Sequence, residues 1–307
     1  MDHAPRIAVL TCTLNGAQFL PAQLASLEQQ THANWRLIVS DDGSTDATLK
    51  ILDHFAQRVP QDVEVRQGPR QGPSANFVSL ASDRDIAGDY FAFCDQDDTW
   101  LPDKLRHALT WIRNIPAATP AVYGGRTRLV SAAGVPYGRA PLFAKAPSFA
   151  NALAQSIAGA NTMLFNRATK SMIEQAGPLT VVSHDWWLYQ LVTGSGGIVH
   201  YDPVPQVDYR QHPGNNIGCN RGVRPQLKRV RMVFQGGFSG WNEINLAALH
   251  EVRHLLTDDA RALMDDYQAM RRGNLYQRVN AFVRSGIRRQ TFLGNVALLT
   301  AIVLRKV

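Results

Sequence analysis

Tyr90-Phe91-Ala92-Phe93-Cys94-Asp95-Gln96-Asp97-Asp98-Thr99-Trp100 passes from an unbroken apolar stretch into three carboxylates within four residues. A strand with no polar alternation is one covered on both faces, as in a parallel sheet flanked by helices. Three carboxylates directly after it repel one another and cost folding free energy unless a cation shares the site. A divalent metal supplies that charge. Mg²⁺ and Mn²⁺ prefer carboxylate oxygens and, where a substrate's phosphates complete the shell, need only one or two protein groups. A polar loop capping the next helix through Asp98 or Thr99 is the alternative that this segment leaves open by itself.

Upstream, Ile7–Thr13 (IAVLTCT) and Arg36–Ser40 (RLIVS) are short runs rich in β-branched residues, and both end in turn residues. Between them Phe19–Gln29 carries Leu20, Leu24 and Leu27 at helical spacing, which makes a β-α-β unit. Asp41-Asp42-Gly43 then leads into Ser44-Thr45-Asp46, a helix-capping cluster, with Leu49, Ile51, Leu52 and Phe55 on one helical face. Val63–Arg66 reads as a third strand and Tyr90–Cys94 as a fourth; further short strands are expected at Val122–Gly125 and Thr162–Phe165. Alternation of this kind predicts an α/β, Rossmann-like, mostly parallel sheet with helices on both faces, whose ligands bind at the carboxyl ends of the strands. Both acidic motifs lie at such ends, about 50 residues apart. Asp41-Asp42-Gly43-Ser44 alone reads equally as a turn; an acidic side chain there can also accept hydrogen bonds from a nucleobase or a ribose.

Taken together, Val9–Gly16 (VLTCTLNG), Leu27–Thr31 (LEQQT), Asp41–Asp46 (DDGSTD) and Asp95–Asp98 (DQDD) resemble the inverting family 2 glycosyltransferases of the GT-A fold, over Ile7 to about Gly218. The resemblance implies a nucleoside-diphosphate sugar donor. It implies that Asp42, with Asp41, reads the base and that Thr13 and Asn15 line the nucleotide pocket. Asp95 and Asp97 form the DxD pair, with Asp97 on a Mg²⁺ or Mn²⁺ ion, Asp95 assisting and Gln96 on the donor side. The segment Arg70–Phe77 (RQGPSANF) loosely matches a basic, glycine-containing stretch of the family, which makes Arg70 and Asn76 donor-site candidates beside the plain reading of a loop entering a helix.

Inversion by direct displacement needs a base for the acceptor hydroxyl, and a carboxylate suits that task. Asp185, in Ser183-His184-Asp185-Trp186-Trp187, stands where the family carries its base; by itself the segment also reads as a helix N-cap. Trp186 and Trp187 are sugar-face candidates, with core packing as the alternative. In Val207–Asn216 (VDYRQHPGNN), which is too polar for an ordinary strand continuation, the resemblance implies His212 as a metal ligand and Arg210 on the diphosphate. The QxxRW signature of processive members is absent, consistent with one transfer per encounter. The combination CDQDD-W-x-x-K, HDWW and YRQH looks like the rhamnosyltransferase branch, implying dTDP-L-rhamnose as donor and a lipid-linked or lipopolysaccharide glycan as acceptor.

The net charge of +7 is unevenly placed. Residues 1–220 hold 17 Lys+Arg against 19 Asp+Glu, and residues 221–307 hold 15 against 6. We therefore expect a glycosyltransferase domain over 1–220 and a basic helical extension over 221–307. Arg284, Arg288 and Arg289 precede the 14-residue, largely apolar run Thr291–Leu304, and Arg305 and Lys306 follow it. A bilayer core needs roughly 20 apolar residues. This run is too short to span, and suits a helix lying on an anionic membrane, a helix packed on the chain's own core, or an oligomer contact. Nucleic acid is not the expected partner. Three isolated cysteines, Cys12, Cys94 and Cys219, and an N-terminus without a secretory pattern predict a reducing, cytoplasmic setting, peripheral to the inner membrane if the tail binds lipid.

Overall fold

The computed structural model describes residues 4–214 and 237–307. Gly218, Cys219, Asn215, Asn216 and the expected boundary at 220/221 lie outside the described residues. The apolar runs form strands with little change from the expected bounds: β1 Ile7–Thr13, β2 Trp35–Asp41, β3 Val63–Gln67, β4 Tyr90–Asp95. With β6 Ala121–Gly125, β9 Leu164–Asn166 and β10 Ile198–Asp202 they make a seven-stranded sheet in the order β10-β6-β9-β4-β1-β2-β3. Strands β1 to β4 are mutually parallel. Strand β9 runs antiparallel to β4 and β6, so the sheet is mostly, not wholly, parallel. Helices α1 Leu20–Glu28, α2 Thr48–Arg58, α3 Pro73–Ser82, α4 Lys104–Ile112 and α6 Arg167–Ala176 belong to the same unit.

A second, four-stranded sheet has the order β5-β11-β7-β8, with β5 Thr99–Trp100, β7 Arg128–Ser131, β8 Pro136–Arg139 and β11 Val207–Gln211. The composition of 207–216 is too polar for an ordinary strand continuation. In the fold, Val207–Gln211 is a strand because its charges are paired sideways: Arg128 donates through both Nε and Nη2 to the Asp208 carboxylate.

The chain divides into two compact units. One is Met1–Pro141, Ala158–Leu179 and His200–Cys219; the other is Leu142–Ile157, Thr180–Val199 and Asn220–Val307. This differs from a single cut after residue 220. The second unit recruits α5 Phe149–Ala152 and α7 His184–Gly194 because their hydrogen bonds run within it. The Trp186 indole N–H and the Gln190 amide both donate to the Ala152 carbonyl (2.6 and 3.1 Å), and Asn151 donates to the Arg288 carbonyl (2.9 Å). The unit continues with α8 Gly237–Glu251, α9 Asp258–Arg272, α10 Leu275–Ser285 and α11 Phe292–Val303.

Lys104, at the start of α4, is fully buried with its ammonium 3.5 Å from the centroid of the Trp100 ring and, among the described residues, no hydrogen-bond partner. Burial pushes its pKa down to about 7. In the unfolded chain the amine titrates near its usual ~10.4, so the unfolded state binds the proton first. Stability is therefore lost as pH falls from about 10.4 toward 7, and the cost is complete below that. The Trp100 ring face favours the ammonium and offsets part of it. Lys104→Met, which keeps the length and removes the charge, is expected to stabilise the protein by about 2 kcal/mol at neutral pH. Urea denaturation across the pH range checks this: the gain should shrink toward pH ~10.4.

Candidate active site

The register of the large sheet sets three strand ends side by side: Thr13 pairs with Asp41, and Cys12 with Asp95. The loops leaving β1, β2 and β4 therefore share one rim, where an open α/β sheet binds its ligands.

The first two loops are clasped together. The Thr13 hydroxyl donates to Asp41 Oδ2 (2.7 Å), which also accepts from the Ser44 hydroxyl (2.6 Å). Oδ1 accepts from the N–H groups of Gly43 (3.0 Å) and Ser44 (2.7 Å). Burial pushes the Asp41 carboxyl up, but these donors outweigh it and hold the pKa below the usual carboxylate value. Four donors fill its acceptor sites. Thr13 and Asp41 thus shape the loops that leave β1 and β2. Asn15 adopts a left-handed backbone (φ 49°) and closes the clasp: its N–H donates to Ser44 Oγ (2.8 Å), and its Oδ1 accepts from the Thr45 N–H (2.9 Å). Ser44 and Thr45 are spent here, so they do not cap α2. The N-cap position is Ala47, with no side-chain cap, and Asp46 just before it accepts from the Thr48 N–H at 2.9 Å.

Asp42 faces the neighbouring loop. Its two oxygens accept from the Arg70 N–H (2.7 Å) and the Gly72 N–H (3.0 Å), two of the roughly four bonds a carboxylate accepts. A Cβ built on Gly43, whose φ is +104°, would lie 3.1 Å from Arg70 Nε, so the Arg70 side chain lies across that glycine. Asn76 is 1% exposed and bonds to Ser40, accepting from its hydroxyl and donating to its carbonyl (3.0 Å). It fastens α3 to β2 and does not reach the rim, which corrects its assignment to the donor.

At the acidic cluster the side chains separate by role. Gln96 makes a two-way bond with the Leu14 backbone, accepting from its N–H (3.0 Å) and donating to its carbonyl (3.1 Å). Gln96 thereby joins the β4 loop to the β1 loop. Asp98 is fully buried, accepting from the Asn161 amide and from the Arg210 N–H (2.9 Å). Burial, then the charges of Asp95 and Asp97, push its pKa well above the usual carboxylate range. Asp95 stays half-buried at the strand end. Asp97, its side chain 20% exposed, is 2.9 Å from His212 Nε2. The Gly214 N–H lies 3.2 Å from His212 Nδ1, and Nε2 is the ring nitrogen that faces Asp97. His212 also packs on the Phe19 ring, centroids 4.6 Å apart.

Arg210 is 6% exposed. Its Nε–H donates to the Asp97 carbonyl and Nη1 to the Ala132 carbonyl, both at 2.9 Å, and the guanidinium lies 5.2 Å from the Phe19 centroid. It braces the backbone at Asp97 and Ala132. Asn161 and Phe19 were missed in the sequence. Nothing local marks Asn161, which lies 63 residues beyond the carboxylate it holds.

Among the described residues no three His, Cys, Asp or Glu side chains converge as a complete metal cage. One carboxylate and one imidazole side by side do suit a divalent cation that takes its other ligands from phosphates and water.

In the helical unit, Asp185 stands half-buried in the first turn of α7 and accepts from the Trp186 N–H at 2.7 Å. Burial pushes the pKa of neighbouring His184 down to about 4. Trp186 and Trp187 are 5% and 2% exposed. They are core residues, which corrects their reading as sugar platforms.

The family model for glycosyl transferase family 2 matches residues 8–170, just over half of the chain. The chain belongs to glycosyl transferase family 2. Among curated proteins it is similar to the dTDP-rhamnosyl transferase RfbG of Shigella flexneri, 28% identical over 236 residues, covering 72% of this chain and 78% of that protein. Among solved structures it is similar to a mannosyltransferase from Pyrobaculum calidifontis in complex with GDP-Man and Mn²⁺, with a TM-score of 0.51 at 16% identity over 99% of this chain and 86% of that one. Residues 1–349 of S. aureus TarS in complex with UDP-GlcNAc give a TM-score of 0.54 at 15% identity, covering 92% of each chain. At these identities the likeness concerns the fold, and with the sheet order it identifies the GT-A architecture of this family 2 glycosyltransferase.

Proposed function

We propose that this family 2 glycosyltransferase moves L-rhamnose from dTDP-L-rhamnose to a cell-surface glycan or lipid-linked acceptor, such as a lipopolysaccharide intermediate, with inversion at the anomeric carbon. The observation that carries the transferase chemistry is the partly exposed Asp97–His212 pair, 2.9 Å apart at the rim where β1, β2 and β4 end. The choice of rhamnose is supported by the similarity to RfbG.

Asp97 and His212, with Asp95 beside them, would hold Mg²⁺ or Mn²⁺; the ion supplies positive charge to the departing diphosphate. Asp42 keeps acceptor capacity for the base or ribose, and Arg70 is the nearby cation for the phosphates. Arg210 and Gln96 keep the acidic loop in place, so that little reorganisation is needed as charge develops. Asp185 removes the proton from the acceptor hydroxyl.

The test is a panel of nucleotide sugars offered to the full chain with Mg²⁺ or Mn²⁺, scored by binding and by nucleoside-diphosphate release. dTDP-L-rhamnose is expected to bind and, with acceptor, to release dTDP. Release from a UDP-sugar instead would reassign the donor; binding without release under any acceptor would make the chain a sugar-nucleotide binder; and no binding at millimolar donor would sink the reading.

A further inference from the structure

Helix α11 (Phe292–Val303) is apolar around nearly its whole circumference, a pattern that belongs to helices enclosed on every side. Only one face is enclosed. Leu298, Ala301 and Ile302 are 2%, 3% and 0% exposed, whereas Phe292, Leu293 and Val296 are 79%, 76% and 47% exposed. Leu299, Val303 and the following Leu304 are exposed as well. At about 100° per residue these six side chains fall on one continuous arc, interrupted by Thr300. Single exposed leucines are ordinary; a contiguous apolar stripe marks a surface that something covers. On α10, which packs against α11, Tyr276 and Val283 are also in solvent.

The charge around the stripe says what covers it. From Tyr267 to Val307 the sequence has eight Lys and Arg and no Asp or Glu; Arg271 is paired with Glu243, Arg284 with Asp266, and Arg278 is buried on the Ile302 carbonyl, so the flanking charges are those that count. Arg288 and Arg289 lie just before the helix, and Arg305 and Lys306 just after it. A two-fold contact with a second copy would set this cationic rim against itself. Lipid phosphates complement it. Among the described residues no helix is long and apolar enough to cross a membrane, so contact is in the plane of the surface. We infer that α11 seats its Phe292–Leu293–Val296 face at the headgroup boundary of an anionic phospholipid surface, with the flanking basic residues on the phosphates. Attachment of this kind is separate from donor chemistry, and a chain inactive toward every sugar nucleotide would still show it.

The full chain is expected to float with vesicles of phosphatidylglycerol and phosphatidylcholine, and to bind pure phosphatidylcholine at least about tenfold more weakly, with raised salt weakening the anionic binding. The double substitution Phe292→Glu and Val296→Glu should reduce flotation by about tenfold or more at an unchanged melting temperature, since both side chains are exposed. Arg305→Glu with Lys306→Glu should remove the preference for anionic vesicles. Failure of the wild type to float, or a double variant that floats equally well, overturns the proposal. So does a dimer in sedimentation that Phe292→Glu dissolves without affecting flotation, which would give the face to a second copy.

Discussion

Asp97→Asn is expected to lower sugar transfer by about 10³-fold, or about 4 kcal/mol of transition-state stabilisation, while leaving the fold intact. The two neighbouring carboxylates differ in what they touch. Asp97 is partly exposed and paired with His212; Asp98 is fully buried and satisfied by Asn161 and Arg210. Asparagine keeps an oxygen that can accept from His212, and the Asp97 carbonyl that Arg210 holds is untouched. What is lost is the negative charge. The signature is in metal titration: the activity left should need much more Mn²⁺ or Mg²⁺, and the metal-dependent part of donor affinity should vanish. Asp98→Asn should instead lower the melting temperature, because the buried pairings with Asn161 and Arg210 are what that side chain serves. If Asp98→Asn shifts the metal dependence and Asp97→Asn does not, the ligand assignment is wrong.

Asp185→Asn is expected to reduce kcat by about 10³-fold, within the ~10²–10⁴ that a positioned base supplies, with donor affinity unchanged. The amide oxygen can still accept from the Trp186 N–H, so the start of α7 should keep its geometry. Calorimetry with donor and metal, beside turnover with acceptor, separates the two quantities. Loss of donor binding in this variant would remove Asp185 from the role of base and give it a place in the donor site.

The elements that the sequence revealed are those whose cause is local. Ile7–Leu10 and Phe91–Cys94 are apolar at every position, and that alone marks strands covered on both faces. The short strands of the second sheet carry no such signal. Val207–Gln211 is a strand because β5 and β7 pair with it and Arg128 answers Asp208. Similarly, the composition of His184–Trp187 admits either an exposed aromatic platform or a core, and only the Ala152 carbonyl that receives the Trp186 indole N–H decides for the core.

The acidic cluster shows the same division within four residues. Its charge and its place after an apolar strand follow from the sequence, and with the motifs upstream they were enough to point to a sugar-nucleotide transferase. Which carboxylate does what was decided by partners far along the chain: Arg210 and His212, 113 and 115 residues beyond Asp97, and Asn161, 63 beyond Asp98. Composition and spacing act over a few neighbours, whereas burial and hydrogen-bond satisfaction depend on which distant segments the sheet register brings together. The sequence by itself therefore determined the parallel strands of the large sheet, the family and the acidic character of the rim. The tertiary structure decided that Asp97 is partly exposed beside His212, that Asp98, Asn76 and the tryptophans are buried, and that one apolar face of α11 is left exposed.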